Sequence, residues 1–171
     1  MAALKFDKTR LIFGLFLIVL IIIGEIVFAV LKVPSWPAFM IMVFFFVEHM
    51  DKKKAPNILV GGLFGIACIV IAKYFVEALT PVIGGELAKL SFIVIIVYAI
   101  VAFGEMLPIL FNNYAFMYLI VSAVAIKTPD PNPFIWMAVE VVGGGIFIAG
   151  ILGIIKIIGA MAKRKAAKAS K

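Results

Sequence analysis

The chain has 171 residues, of which 65% are hydrophobic, with a mean hydropathy of +1.24. A soluble domain of this size has no interior large enough for that much apolar surface, so the composition specifies an integral membrane protein. The net charge of +7 does not indicate a nucleic-acid partner. The bases fall in short loops and tails between apolar runs, where they set orientation and meet anionic lipid heads. The single cysteine, Cys68, excludes an internal disulfide and offers no metal-ligand spacing; it reads as a small core residue. With one histidine, one cysteine and no nucleophile–base constellation, the inventory argues against an enzyme and calls for no cofactor.

In chain order, residues 1–10 form a basic tail with Lys5, Lys8 and Arg10. Residues 11–31 are long enough to cross a hydrocarbon core of about 30 Å. No small-residue cleavage site ends the run, so it reads as a retained span. Lys32 can snorkel to the headgroups. Pro34 and Pro37 then break the helix, since each lacks an N–H and fixes φ. Residues 38–50 are apolar and Phe-rich but too short for a straight span. Glu48 and His49 end that segment, and Asp51-Lys52-Lys53-Lys54 makes a charged turn. Pro56 suits a helix N-terminus. The span it opens carries Gly61, Gly62 and Gly65, small residues that let helix backbones approach.

Residues 77–87 read as a linker, with Glu77, Pro81, Gly84, Gly85 and Glu86 interrupting the apolar pattern. A fourth span covers residues 88–107, with Pro108 ending it. Asn112-Asn113 is a turn before a second short segment at 114–126. A proline-rich polar stretch follows at 127–133. The last span, 134–158, contains Gly143, Gly144, Gly145, Gly150 and Gly153, and a basic tail occupies 160–171.

Two stretches correspond. Gly24-Glu25 is followed by Ser35-Trp36-Pro37-Ala38-Phe39-Met40, and Gly104-Glu105 by Asn112-Asn113-Tyr114-Ala115-Phe116-Met117. The Ala-Phe-Met triplets lie 77 positions apart, as do Pro56 and Pro133; the Gly-Glu pairs are offset by 80. The pattern describes an all-α membrane bundle of six segments, two of them short or broken. One three-segment repeat covers 11–76 and a second covers 88–159. Three crossings is an odd number, so the two copies face opposite ways. In such inverted repeats the site lies where the copies meet, often at broken helices. With both termini cytoplasmic, most bases fall on the inner side, as the positive-inside rule requires.

The carboxylates carry the chemical argument. A charge inside an apolar helix costs several kcal/mol and marks a functional position by default. Glu25 lies roughly 22 Å into its span by helical rise, and Glu105 occupies the corresponding place in the fourth. Either they form a pseudo-symmetric pair on a proton, cation or solute pathway, or they bond neighbouring helices. Trp36, Phe39, Tyr114 and Phe116 follow the breaks. They line a narrow constriction or, more simply, form an interfacial belt and lipid-facing packing. Asn112 and Asn113 are a turn signal before they are solute-binding amides. Glu48 and His49 are neighbours that point in different directions, with no zinc spacing; a solvated helix end is the simpler reading. Glu140, ~10 Å into the last span, either joins Glu25 or reaches water. The 143–145 glycines lack the strand and Lys-Ser/Thr of a phosphate loop.

The segment Pro34-Ser35-Trp36-Pro37-Ala38-Phe39 resembles a family of small bacterial inner-membrane proteins with a Pro-x-Trp-x-x-Phe-like segment after the first span. The resemblance implies a multi-pass plasma-membrane protein and supplies no chemistry. The function expected is a channel or secondary transporter for a small solute or ion, homo-oligomeric because one chain makes a thin bundle. The alternative is a non-transporting subunit or scaffold of a larger membrane complex.

Overall fold

The computed structural model describes residues 8–169; residues 1–7 with Lys5, and Ser170 and Lys171, lie outside that range. The described chain is helical throughout: α1 (Lys8–Leu31), α2 (Trp36–Val47), α3 (Ala55–Ile83), α4 (Gly85–Phe103), α5 (Asn113–Ala125), α6 (Pro133–Ala138), a π-helical turn (Val139–Gly143) and α7 (Gly144–Ala169). Four helical stretches, 8–31, 55–83, 85–103 and 133–164, have the length and hydropathy to cross a membrane, and α2 and α5 are shorter apolar helices.

The breaks follow from local chemistry. After α1, Lys32 takes a left-handed φ of 54° while the Val33 N–H bonds back to the Phe28 carbonyl, closing the helix in the manner of a Schellman motif. Pro37 then sits in the first turn of α2, where a missing N–H costs nothing. At the far end of α2, His49 and Met50 hold φ values of 53° and 61°. Non-glycine residues there cost roughly 1–2 kcal/mol each, and the Met50 N–H bond to the Phe45 carbonyl helps hold the turn. Asn132 caps α6 by accepting from the N–H groups of Phe134 and Ile135.

The 77–87 stretch is not a linker. α3 continues through Glu77 and Pro81 to Ile83, and only Gly84 stands between it and α4. Pro81 is tolerated in the last turns, where the Thr80 hydroxyl donates to the Val76 carbonyl. Gly84 makes the reversal with φ +81° and ψ 153°, a conformation open to glycine. The fourth helix also ends earlier than expected, at Phe103. Residues 104–110 form turns because Pro108 offers no N–H to prolong the helix.

Glycines set the packing. A Cβ on Gly61 would lie 2.3 Å from Asn112 Oδ1, and one on Gly65 would lie 2.3 Å from the Ala115 carbonyl oxygen. Bare α3 backbone therefore admits α5, its most extensive partner, and α4 packs on α3 as well. In the other half, α7 takes α2 and α1. Gly143 abuts Ala38 and Phe28, Gly144 abuts Ile41, and Gly24 of α1 receives the Phe147 ring. Gly145 and Gly153, expected on the same packing face, have nothing within 4 Å of a Cβ. Cys68 is buried with Ile69, Phe92 and Leu119.

Several buried positions recur at a fixed spacing along the chain. Ala38, Ile41, Met42 and Phe45 of α2 correspond, 77 positions on, to Ala115, Tyr118, Leu119 and Ser122 of α5. Ile58, Gly61, Gly62, Gly65, Ile66 and Ile69 of α3 correspond, 78 on, to Trp136, Val139, Glu140, Gly143, Gly144 and Phe147.

Helical glycine ordinarily destabilises relative to alanine by about 0.5–1 kcal/mol. Gly153→Ala is therefore expected to leave the melting temperature in detergent unchanged or slightly raised. Gly65→Ala, forced against backbone, is expected to lose roughly 1–3 kcal/mol. Thermal unfolding of the two variants beside the parent checks the pair.

Candidate functional site

The chemically unusual residue is Glu140. It is 0% exposed, in the π-helical turn, and neither carboxylate oxygen has a hydrogen-bond partner among the described residues. The wide turn follows Val139, Val141 and Val142 into Gly143-Gly144-Gly145, and the Gly144 N–H shares the carbonyls of Val139, Glu140 and Val141. π-turns inside α-helices occur mostly as single turns, often at functional positions. Across from the turn lies Gly62 of α3. A Cβ on Gly62 would stand 2.6 Å from Glu140 Oε1 and 2.7 Å from the Tyr118 ring. Bare glycine thus brings the carboxylate and the tyrosine together.

Tyr118 is fully buried and its hydroxyl donates to the Pro37 carbonyl, joining α5 to the first turn of α2. Ser122, one turn further along the same face of α5, is also 0% exposed, and its Oγ has no partner. Trp36 packs at 6.2 Å from the Tyr118 ring and 5.5 Å from that of Trp136. Trp136 and Glu140 are four residues apart and share a helix face. Ser122 and Glu140 are the buried polar or charged residues of the described chain.

A second junction lies one helical turn before Tyr118. Tyr114 donates a hydrogen bond to Glu48 Oε1, linking the start of α5 to the end of α2, and its ring stacks 5.2 Å from Phe44. Asn112 caps α5 through Oδ1, 2.9 Å from the Ala115 nitrogen. Its amide donates to the carbonyls of Asn57, Pro108 and Ile109. Asn112 is therefore a structural clasp between α5 and the start of α3.

The remaining expected residues lie elsewhere. Glu25 faces outward on α1. Glu105 is exposed too, in the turns beyond α4 rather than inside a helix. The structure does not bring these two carboxylates into the buried centre. Their helices take different partners, α1 packing on α7 and α4 on α3. Phe39 stacks on Phe28 and Phe147 inside the core. Asn113 and His49 are exposed, and Phe116 is half-buried. Glu140, expected to join Glu25 or reach water, does neither.

Tyr118, Ser122, Trp136 and Gly62 were not among the residues expected from sequence. A signal was present: Tyr114, Tyr118 and Ser122 recur every four residues in an otherwise apolar helix, which places them on one face.

Removing the Tyr118 hydroxyl takes away a buried bond between α5 and α2. Tyr118→Phe is expected to cost about 1 kcal/mol, read as a lower melting temperature, with the helix content by circular dichroism unchanged.

No protein-family model matches the chain, and no curated protein or solved structure is significantly similar to it.

Proposed function

We propose that the chain is a membrane channel or secondary transporter for a small solute or ion, with its site where two inverted three-segment halves meet. The observation that carries this reading is Glu140, a wholly buried carboxyl with two unpartnered oxygens. A structural glutamate in an apolar bundle satisfies its oxygens by bonding a neighbouring helix, because an unpartnered carboxylate costs several kcal/mol. Glu140 leaves both free, although Tyr118 lies beside it.

The inverted-repeat reading is supported by the exchange of partners between the halves. The third helix of the first half receives α4 and α5; the last helix of the second half receives α1 and α2. Each third helix thus takes the first and second helices of the opposite half. The offset of 77, set by the Ala-Phe-Met triplets, also relates the buried faces of α2 and α5. Under the 78 correspondence, Gly62 and Glu140 are equivalent positions that touch, so they lie on the axis relating the halves. Sites at such interfaces, next to broken helices, are the general pattern of transporters with this architecture.

The distribution of bases supports an orientation with both termini and the Lys52-Lys53-Lys54 turn cytoplasmic, in a plasma-membrane protein. α1 and α4 turn mostly exposed apolar side chains outward, toward lipid or another copy in a homo-oligomer. Single cysteines at Lys53, Gly84 and Asp130, in a Cys68→Ala background, report the topology. Impermeant reagent applied outside is expected to label positions 84 and 130 and to spare 53. Labelling of 53 from outside would reject the orientation.

Reconstituted in liposomes, the parent is expected to pass one member of a panel of cations, small amides and organic acids. Glu140→Gln is expected to reduce that flux by at least about tenfold, the usual scale for a group that contacts the transported species. Glu25→Gln and Glu105→Gln are expected to retain it. No flux from the parent, together with stoichiometric co-purification of a second membrane protein, would favour the scaffold reading.

A further inference from the structure

The buried polar atoms around Glu140 define the kind of ligand it accepts. The carboxylate contributes two acceptor oxygens without partners. The Tyr118 ring lies beside the carboxylate, and its hydroxyl proton is committed to the Pro37 carbonyl. Ser122 Oγ, one turn beyond Tyr118 on the same face of α5, is a second buried oxygen without a partner among the described residues. The elements around the carboxylate bring no base: α3 presents Gly61, Gly62 and Gly65, α2 presents the Pro37 carbonyl, and α5 presents Tyr118 and Ser122. No lysine, arginine or histidine is among the buried residues of the described chain. Such a set repels anions and suits a cation. One carboxylate balances one positive charge, and it falls short of the several anionic oxygens that calcium prefers.

We propose that Glu140, beside the Tyr118 ring, binds a small monovalent cation in exchange for a proton. This rests on the transport reading and names its cargo class. The exchange is electroneutral: the carboxyl proton leaves as the cation enters, and the buried site carries no net charge in either state. That balance avoids the cost of an isolated charge in hydrocarbon. Gly62 is needed for the close approach, and the π-turn sets the carboxyl opposite it. The faces of Trp36, Trp136 and Tyr118 would favour ammonium within this class.

Purified protein in nanodiscs is titrated with sodium, potassium and ammonium chloride against N-methylglucamine chloride, and thermal unfolding and infrared difference spectra are recorded. At least one small cation is expected to raise the melting temperature and to remove a protonated-carboxyl C=O band. Glu140→Gln is expected to lose both responses. The infrared response of the parent decides the matter if Glu140→Gln does not fold. The proposal is overturned if no small cation acts differently from N-methylglucamine, if Glu140→Gln keeps the response, or if the carboxyl band answers to pH alone. Binding without flux in liposomes would keep the site and remove the transport reading; flux without a Glu140-dependent response would do the reverse.

Discussion

The structure depends on the approach of α5 to the bare backbone of α3. Gly61, Gly62 and Gly65 leave no side chain on that face, and Asn112, Tyr118 and Ala115 occupy the space where Cβ atoms would be. In a membrane, apolar burial gives helices little reason to associate, since lipid is as apolar as leucine; close packing and hydrogen bonds supply the attraction instead. The glycine face provides the first and Asn112 the second. Without that contact α5 would have no seat, and the Tyr118 bond that fixes the first turn of α2 would be lost with it.

The same contact creates the chemistry. Gly62 faces the π-turn, so what enters the space is the Glu140 carboxyl beside the Tyr118 ring. A larger residue at position 62 would fill it. The junction is made of backbone and aromatic rings, with Trp36 between Tyr118 and Trp136 in tilted and edge-to-face contacts. These are rigid groups with few rotamers, so the carboxyl is held rather than free to seek a partner, and the preorganisation suits a small ligand.

The short helices have a further consequence. Both α2 and α5 begin beside the Glu140 junction: Trp36 and Pro37 contact Tyr118, while Asn112 sits on Gly61. Their first-turn N–H groups lack helical partners. Asn112 satisfies one of them from its own side chain. The Tyr114–Glu48 bond ties the end of α2 to the first turn of α5, while the Tyr118 bond ties the first turn of α2 to the middle of α5.

The sequence by itself determined the class and most of the elements. Hydropathy leaves only helices able to satisfy their backbone in lipid, and Pro34, Pro37, Pro56, Pro108 and Pro133 punctuate them by removing N–H groups. The glycine face at 61–65 was legible for the same kind of local reason; the one at 143–153 packs at Gly143, Gly144 and Gly150 but not at Gly145 or Gly153. The Gly-Glu correspondence points to Glu25 and Glu105 before Glu140, but each is a lone acid in an apolar run, and the helix face it occupies depends on its neighbours. Tertiary packing made that choice. α1 has little burial beyond Phe28, so Glu25 turns outward, and α4 stops at Phe103, so Glu105 falls in a turn. Only Glu140 meets a bare glycine on an adjoining helix. The linker at 77–87 was misread because glycine and proline mark breaks statistically, whereas one glycine with positive φ sufficed for the reversal and the rest of the stretch could stay helical.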